Sequence, residues 1–157
     1  MRWPFACALH ERAKFDDKLV LLMGDVGGGL FKLFEKDYPN RYFNLGTGEQ
    51  SMVGIAAGMA LSGWHPVVYT FTPFILERAF EQIKLDVVSN RAGVLLAGWQ
   101  DTVHGITHQA TGATKLISCI PGLTLEQPET KLELDALLAE EDLFDIPRFL
   151  LLKELKT

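Results

Sequence analysis

The sequence is poor in cysteine and in basic residues, and each shortage excludes a class of protein. Its two cysteines, Cys7 and Cys119, lie far apart in the 157-residue chain, which predicts a reduced, cytoplasmic protein without a disulfide framework. The 15 basic residues are outnumbered by 20 acidic ones, and the net charge of -5 argues against nucleic acid or an anionic membrane as the main partner. The charged, amphipathic N-terminus is unlike a signal peptide.

Short apolar runs alternate with helical patterns through the whole chain. The runs predict strands at residues 19–23, 42–45, 66–71, 93–98, 123–126 and 148–153. The remaining patterns predict helices at residues 5–15, 51–63, 74–89, 107–118 and 129–143, and another that ends near Asp37. Apolar strands that alternate with helices are typical of a parallel sheet covered on both faces. We therefore predict one α/β domain over residues 1–157, a three-layer α/β/α fold with a mostly parallel sheet of about six strands.

A strand, a tight turn and a helix follow one another directly after Tyr42, and this stretch organises the predicted domain. Gly46 and Gly48 lie in the turn. Thr47 and Gln50 have the spacing of a capping box, which predicts the start of the helix. Glu49 then lies in the first helical turn, just beyond the end of the strand.

The helix predicted over residues 51–63, from Ser51 to Gly63, has no charged side chain and is rich in glycine and alanine. A helix that is apolar all round is buried on every side. At thirteen residues it is too short for a bilayer, which needs about twenty. Two interpretations remain: a helix of the domain's own core, or a helix that mediates self-association in a subunit interface.

The active groups of a parallel sheet collect at the carboxyl ends of its strands. The residues that follow predicted strands include Asp25, Glu49, Phe71, Phe74 and the loop 100–109. The glycine-rich turn at residues 24–29 lacks the spacing of a phosphate-binding loop, so a plain connection is favoured there.

His104 and His108 stand four residues apart in the predicted loop. No third ligand is evident near them, so we predict no metal site within the chain and interpret the pair as part of a polar cluster. Phe71 and Phe74 flank Pro73 at a strand end, where the two rings serve either as core residues or as faces that stack on a flat ligand.

Several motifs together resemble the pyrimidine-binding domain of transketolase-like enzymes that use thiamine diphosphate. They are the run YFNLGTGEQSMVGIAAGMALSG, the sequence TFTPF, and the triplet Thr107, His108 and Gln109. The resemblance extends from Met1 through nearly the whole chain. It implies the fold of the thiamine-diphosphate-binding domains and a single pyrimidine-binding domain over residues 1–157.

The resemblance implies a role for each residue of a cofactor site. Glu49 matches the glutamate that hydrogen-bonds N1′ of the aminopyrimidine and so favours the tautomer that activates the cofactor. Phe71 and Phe74 match aromatic residues that pack around the pyrimidine ring. Asp25 matches an acidic residue near the thiazolium ring across a subunit interface.

The substrate side of the site is implied in the same way. His108 matches a catalytic histidine that faces the substrate, and Arg2 matches an arginine that binds a substrate phosphate. His104 stands where many members carry an acidic residue, and Glu77 where transketolases often have a tyrosine. The resemblance implies transfer of a ketol (two-carbon) unit between small sugar-like molecules, with the acceptor left open.

The motifs that hold the diphosphate and Mg²⁺ in this family are not found here. The sequence Gly24-Asp25-Val26 differs from the required Gly-Asp-Gly and lies elsewhere, and no Asn-Asn pair follows. The carboxy-terminal domain of full transketolases is also not found in the 157 residues. We therefore expect a split enzyme, an α2β2 heterotetramer in which a diphosphate-binding partner subunit binds most of the Mg²⁺.

Two alternatives to ketol transfer stay open. The same activation by Glu49 serves other thiamine diphosphate carboligases and 2-oxo acid decarboxylases. A non-catalytic, flavodoxin-like binding module would keep the fold without the chemistry. The presence of all four matched residues, Glu49, Phe71, Phe74 and His108, argues against that alternative.

Overall fold

The computed structural model of the chain describes residues 1–27 and 29–154. Its centre is a six-stranded, all-parallel sheet in the order β2-β1-β3-β4-β6-β5. The strands are β1 Leu19–Met23, β2 Tyr42–Asn44, β3 His65–Phe71, β4 Leu95–Trp99, β5 Thr124–Glu126 and β6 Arg148–Leu152. The prediction of a parallel α/β sheet is confirmed, and the largest shift in strand bounds is at β4. Gly28, part of the predicted glycine-rich turn, lies outside the described residues.

Helices cover both faces of the sheet and give the predicted three layers. They are α1 Arg2–Arg12, α2 Lys32–Asp37, α3 Glu49–Leu61, α4 Thr72–Leu76, α5 Phe80–Gln82, α6 Ala113–Ser118 and α7 Lys131–Ala139, and α5 continues as a π-helix over Ile83–Val88. Successive residues of β1 point to opposite faces. Leu19 and Leu21 pack in the cluster that contains residues of α1, α2 and α7, whereas Val20 and Leu22 pack in the cluster of α3, α4 and α6.

The order of the strands reverses between β1 and β3. The chain runs outward from β1 to β2 on one side and from β3 to β4 on the other. Met23 and Tyr69 pair across this point, near the carboxyl ends of both strands. Ligands of open parallel sheets bind in the crevice beside such a reversal, so we expect a ligand site at this edge.

Two helices predicted as continuous are broken in the structure. The helix predicted at 74–89 begins earlier, with Pro73 in its first turn, and is interrupted where the amides of Glu77 and Arg78 both donate to the Pro73 carbonyl. The helix predicted at 107–118 is split: a short 3-10 turn ends at His108, where Gln109 is extended, and α6 begins only after Gly112, which adopts the left-handed φ of 83°.

The capping box predicted at Thr47 and Gln50 is wrong. Gly48 is the N-cap of α3, and no side chain caps the helix. The turn is closed earlier instead, where the Asn44 side-chain oxygen accepts the amide of Gly46 at 2.9 Å. Thr47 is exposed because the turn does not need its hydroxyl.

One face of the apolar helix α3 is buried, and the opposite face is partly exposed. Met52, Val53 and Ala56 are fully buried against the sheet, whereas Ile55 is 45% and Leu61 62% exposed. Its self-association therefore stays a prediction. No helix among residues 1–27 and 29–154 is long and apolar enough to cross a membrane.

Candidate cofactor site at the carboxyl edge of the sheet

Glu49 is a buried acid at the start of a helix. It is the first residue of α3 and only 4% exposed. The short connection from β2 through Gly46, which adopts φ 66°, brings the carboxylate to the carboxyl edge of the sheet. The positive end of the helix dipole favours an anion at this position.

The partner of Glu49 is Arg78, a residue that the sequence analysis did not identify. Its Nη1 atom donates to both carboxylate oxygens of Glu49, each at 3.3 Å. Its guanidinium also lies over the Phe74 ring, 3.7 Å from the centroid. A cavity of about 380 Å³ is lined by Arg78 and residues 47–51. The spacing of Phe74 and Arg78, four residues apart, is the sequence signal that would have indicated their contact.

Phe71 and Phe74 meet edge to face beside this pair. Their ring centroids are 5.4 Å apart. Both side chains are buried, Phe71 at the end of β3 and Phe74 in α4. Both belong to the core cluster that faces α1. The structure therefore shows that both rings are core residues, and their stacking on a flat ligand stays a prediction.

The structure brings the two loop histidines to the same aromatic wall. The His108 ring lies 4.8 Å from Phe71 and 4.9 Å from Phe74, and the His104 ring lies 5.4 Å from His108. Within residues 1–27 and 29–154, no three His, Cys, Asp or Glu side chains lie close enough to hold a metal ion. The polar cluster predicted from the sequence is present at the expected edge.

Asp101 fixes the loop that carries these histidines. Its buried carboxylate accepts the amides of Val103 and His104, at 3.2 and 2.6 Å, and contacts the His104 Nδ1 at 3.1 Å. Burial acts to raise the pKa of Asp101, but the hydrogen bonds from His104 and Val103 outweigh it and hold the pKa below its ordinary value. An aspartate that accepts amides two and three residues later is a common turn motif, which is the signal that the sequence analysis missed.

Arg2 reaches the same region from α1. Its Nε donates to the Tyr69 hydroxyl at 3.0 Å, and its guanidinium lies 5.9 Å from the Phe71 ring centroid and 5.5 Å from that of Trp99. Burial raises the pKa of Tyr69, and Arg2 opposes that rise. Gly27 adopts φ 83°, and a Cβ there would lie 2.7 Å from Arg2 Nη2, so the glycine-rich turn leaves room for this guanidinium.

Asp25 stands slightly apart from these residues. It is exposed just after β1, and its carboxylate accepts a long hydrogen bond, 3.4 Å, from the Asn44 amide. A larger cavity of about 1040 Å³ lies at the opposite edge of the sheet, where its lining includes Phe15, Asp16 and His65. It contains none of the predicted site residues.

The strand order and the helices on both faces define the class of protein: a three-layer parallel α/β domain whose strand order reverses between β1 and β3. The chain belongs to the family described as "Transketolase, pyrimidine binding domain", whose model matches residues 1–156. The resemblance and the fold stated from the sequence are thus confirmed. The roles of individual site residues stay predictions.

Curated relatives are longer than this chain. An uncharacterized 33.6 kDa protein in the fasciation locus of Rhodococcoides fascians is 33% identical over 140 residues, which are 87% of this chain and 45% of that protein. The 1-deoxy-D-xylulose-5-phosphate synthase of Buchnera aphidicola subsp. Schizaphis graminum is 35% identical over 134 residues, 82% of this chain and 23% of that enzyme. The chain therefore spans less than half the length of these relatives.

Solved structures agree with the family. A split gene transketolase, determined as an inactive β4 tetramer, matches with a TM-score of 0.85 and 28% identity over 96% of this chain and 50% of that one. The transketolase from Leishmania mexicana matches with a TM-score of 0.82 and 19% identity over 97% of this chain and 25% of that one, a likeness of fold alone.

Proposed function

We propose that the chain is the pyrimidine-binding part of a split, transketolase-like thiamine diphosphate enzyme that transfers a ketol unit between small sugar-like molecules. The observation that carries the proposal is Glu49, a buried carboxylate paired with Arg78, whose guanidinium lies over the Phe74 ring. Burying a carboxylate is costly without a partner, and a planar group with N–H donors satisfies both the acid and the ring.

The residues present fit the aminopyrimidine half of the cofactor. Arg78 already places a flat group with N–H donors against the Glu49 carboxylate and the Phe74 ring, so the site accepts that chemistry. When bound, thiamine diphosphate supplies a nucleophilic carbon at its thiazolium ring. Glu49 would hold the proton that it shares with N1′ of the pyrimidine, and Phe71 and Phe74 would orient the ring.

The substrate would lie against the histidine side of the cleft. His104 and His108 contact the Phe71 wall, and both rings can donate or accept a proton. Arg2 would add a fixed positive charge near the same ring, suited to an anionic group of the substrate. Asp25 would lie near the thiazolium ring, on the side that faces a second subunit.

We further propose that a different, diphosphate-binding subunit completes the site with Mg²⁺ in a cytoplasmic α2β2 assembly. The chain is acidic and lacks the Gly-Asp-Gly and Asn-Asn motifs, which supports a contact with a partner that binds the diphosphate. It also exposes apolar residues of α3, which supports a contact between two copies of this chain. The split gene transketolase relative is described as inactive in its β4 form, which supports a requirement for a second kind of chain.

The likeness to 1-deoxy-D-xylulose-5-phosphate synthase favours a second candidate, a carboligation other than ketol transfer. His104, where many members carry an acid, supports a substrate different from that of a standard transketolase. Assays of the reconstituted enzyme with sugar phosphates and with 2-oxo acids as donors separate the two reactions.

Glu49→Gln in the enzyme reconstituted with its partner tests the proposed function. The amide is nearly isosteric but cannot share a proton in the same way, so we expect turnover to fall more than about 100-fold while the chain stays folded and its unfolding temperature falls by only about 2–4 °C. Glu81→Gln removes an exposed acid from α5 and is the matched control. Activity of Glu49→Gln near that of the control would refute the proposal.

Titration calorimetry of the isolated chain with thiamine diphosphate and Mg²⁺ tests the split arrangement. Because the proposed site would leave the diphosphate without Mg²⁺ ligands from this chain, we expect no micromolar binding until the partner subunit is added. Micromolar binding by the chain alone would show that these 157 residues form a complete site.

A further inference from the structure

Arg78 makes both contacts that the proposed function assigns to the aminopyrimidine. Its Nη1 donates to the two oxygens of Glu49, and its Cζ atom lies over the Phe74 ring, 3.7 Å from the ring centroid. A guanidinium and an aminopyrimidine share the relevant chemistry, since each is flat, carries N–H donors in its plane and stacks on aromatic rings. Two such groups cannot occupy one face of Phe74 and the same carboxylate oxygens together.

We propose that Arg78 occupies the pyrimidine position in the free chain and moves out into solvent when the cofactor binds. The inference rests on the proposed function, and it deepens it by naming the residue with which the cofactor competes. Arg78 would act as an internal substitute for the ring. It keeps the buried Glu49 carboxylate from remaining unpaired before the cofactor arrives.

The exposure of the two partners shows which one moves. The Glu49 side chain is 4% exposed and belongs to α3, whereas the Arg78 side chain is 47% exposed. Arg78 also lies in the break between α4 and α5, where its amide makes a long hydrogen bond of 3.4 Å to the Pro73 carbonyl. Moving the guanidinium into water costs little, because a half-exposed ion pair contributes only modestly to stability.

Binding of the free aminopyrimidine, 4-amino-5-hydroxymethyl-2-methylpyrimidine, tests this competition without the partner subunit. We expect Arg78→Ala to bind this probe about threefold to tenfold more tightly than the unmodified chain, because the competing ion pair and ring contact are gone. Lys84→Ala removes an exposed cation from the following π-helix, and its affinity should equal that of the unmodified chain. Equal or weaker binding by Arg78→Ala would overturn the inference, since weaker binding would mean that Arg78 helps to hold the ring.

Thermal unfolding of Arg78→Ala, Glu49→Gln and the double variant tests the contact itself in the free chain. We expect the two changes to be non-additive by about 2–4 °C, because each removes the partner of the other. Additive changes would overturn the inference whatever the probe does. If millimolar probe binds neither the unmodified chain nor Arg78→Ala, the inference fails, whereas the proposed function is decided separately by Glu49→Gln in the enzyme reconstituted with its partner.

Discussion

The two edges of the sheet differ in how their charges are paired. At the amino edge, Arg148 is buried at the start of β6 and faces three acidic side chains, Glu126, Glu140 and Asp142, at 3.0, 2.8 and 3.6 Å. At the carboxyl edge, Glu49 has one described cationic partner, and that partner is half exposed. One edge is therefore closed by a charge network, and the other holds a buried charge that is only loosely satisfied.

The same contrast extends to the histidines. His65, at the start of β3, contacts both oxygens of Asp16 and stacks on Phe144 with a ring distance of 4.7 Å. His104, at the other edge, is 62% exposed although Asp101 holds it. Stabilising contacts thus concentrate at the amino edge, and side chains free to meet a ligand concentrate at the carboxyl edge. The larger cavity at the amino edge is a weaker candidate site, because Asp16 in its lining already pairs with Arg12 and His65.

Truncation of one arginine at each edge gives the largest expected effect. Arg148→Ala leaves three carboxylates near a buried space, and we expect a loss of about 3 kcal/mol in the free energy of unfolding. Arg78→Ala should cost less, about 1–2 kcal/mol, because the Arg78 side chain is half exposed and the cavity of about 380 Å³ beside Glu49 lets water reach the carboxylate that remains. Urea unfolding of both variants measures the difference, and similar losses at the two edges would contradict the comparison.

Replacement of the Phe74 ring tests the binding edge at a smaller scale. In the Arg78→Ala background, Phe74→Leu should weaken binding of the aminopyrimidine probe about fivefold, because a stacked ring contributes about 1 kcal/mol beyond its buried area. In the chain that keeps Arg78, the loss of probe affinity should be smaller, because Phe74→Leu also removes the ring that the competing Arg78 contacts. Phe34→Leu, a fully buried residue of α2, should lower stability without changing probe affinity. Equal effects of the two changes on binding would make Phe74 a core residue only.

The sheet could be predicted from the sequence because its strands carry their own signal. The run at 19–23 is apolar at every position and is buried at every position of β1, so its bounds are the same in the sequence and the structure. The strand predicted at 93–98 includes Gly93 and Val94, which precede β4, and omits Trp99, which is the last residue of β4. Local apolarity was therefore enough to predict that a strand exists, whereas the first and last residues of β4 depend on its pairing with β3 and β6.

The turns were harder to predict because one spacing has two outcomes. Thr47 and Gln50 have the capping spacing but make no cap, since Asn44 closes that turn first. Thr130 and Glu133 have the same spacing, and there the Thr130 hydroxyl accepts the Glu133 amide at 3.1 Å and sets the start of α7. The motif alone does not reveal whether a neighbouring side chain competes.

The site was predicted where its residues follow strands and was missed where contacts join distant segments. Glu49, Phe71 and His108 come directly after apolar runs or within a recognisable motif. Arg78 contacts Glu49 across 29 residues of sequence, and only the packing of α4 beside α3 brings them together. Such a pairing has no signal in a single sequence.

The last expected effect concerns Asp101, an acid at the carboxyl edge whose carboxylate accepts two backbone amides. Its pKa in the folded chain lies below the ordinary value of 3.8, so the folded state binds fewer protons there than the unfolded state. The stability it contributes is present above that value and is lost as the pH falls through the folded pKa. We expect Asp101→Asn to lower the free energy of unfolding by about 1 kcal/mol at neutral pH, because the charged acceptor of the Val103 and His104 amides is gone.

Urea unfolding of the unmodified chain and of Asp101→Asn at about pH 7, 5 and 3 measures this contribution. The gap between them should stay constant from pH 7 to 5 and shrink toward pH 3, because the Asp101 carboxyl of the unfolded chain takes up a proton at a higher pH than that of the folded chain. Asp17→Asn, an exposed acid at the amino edge, should show no comparable gap. A gap for Asp101→Asn that persists unchanged at pH 3 would mean that its charge does not hold the histidine loop. The loop at the carboxyl edge would then depend on Phe71 and Phe74 for its order.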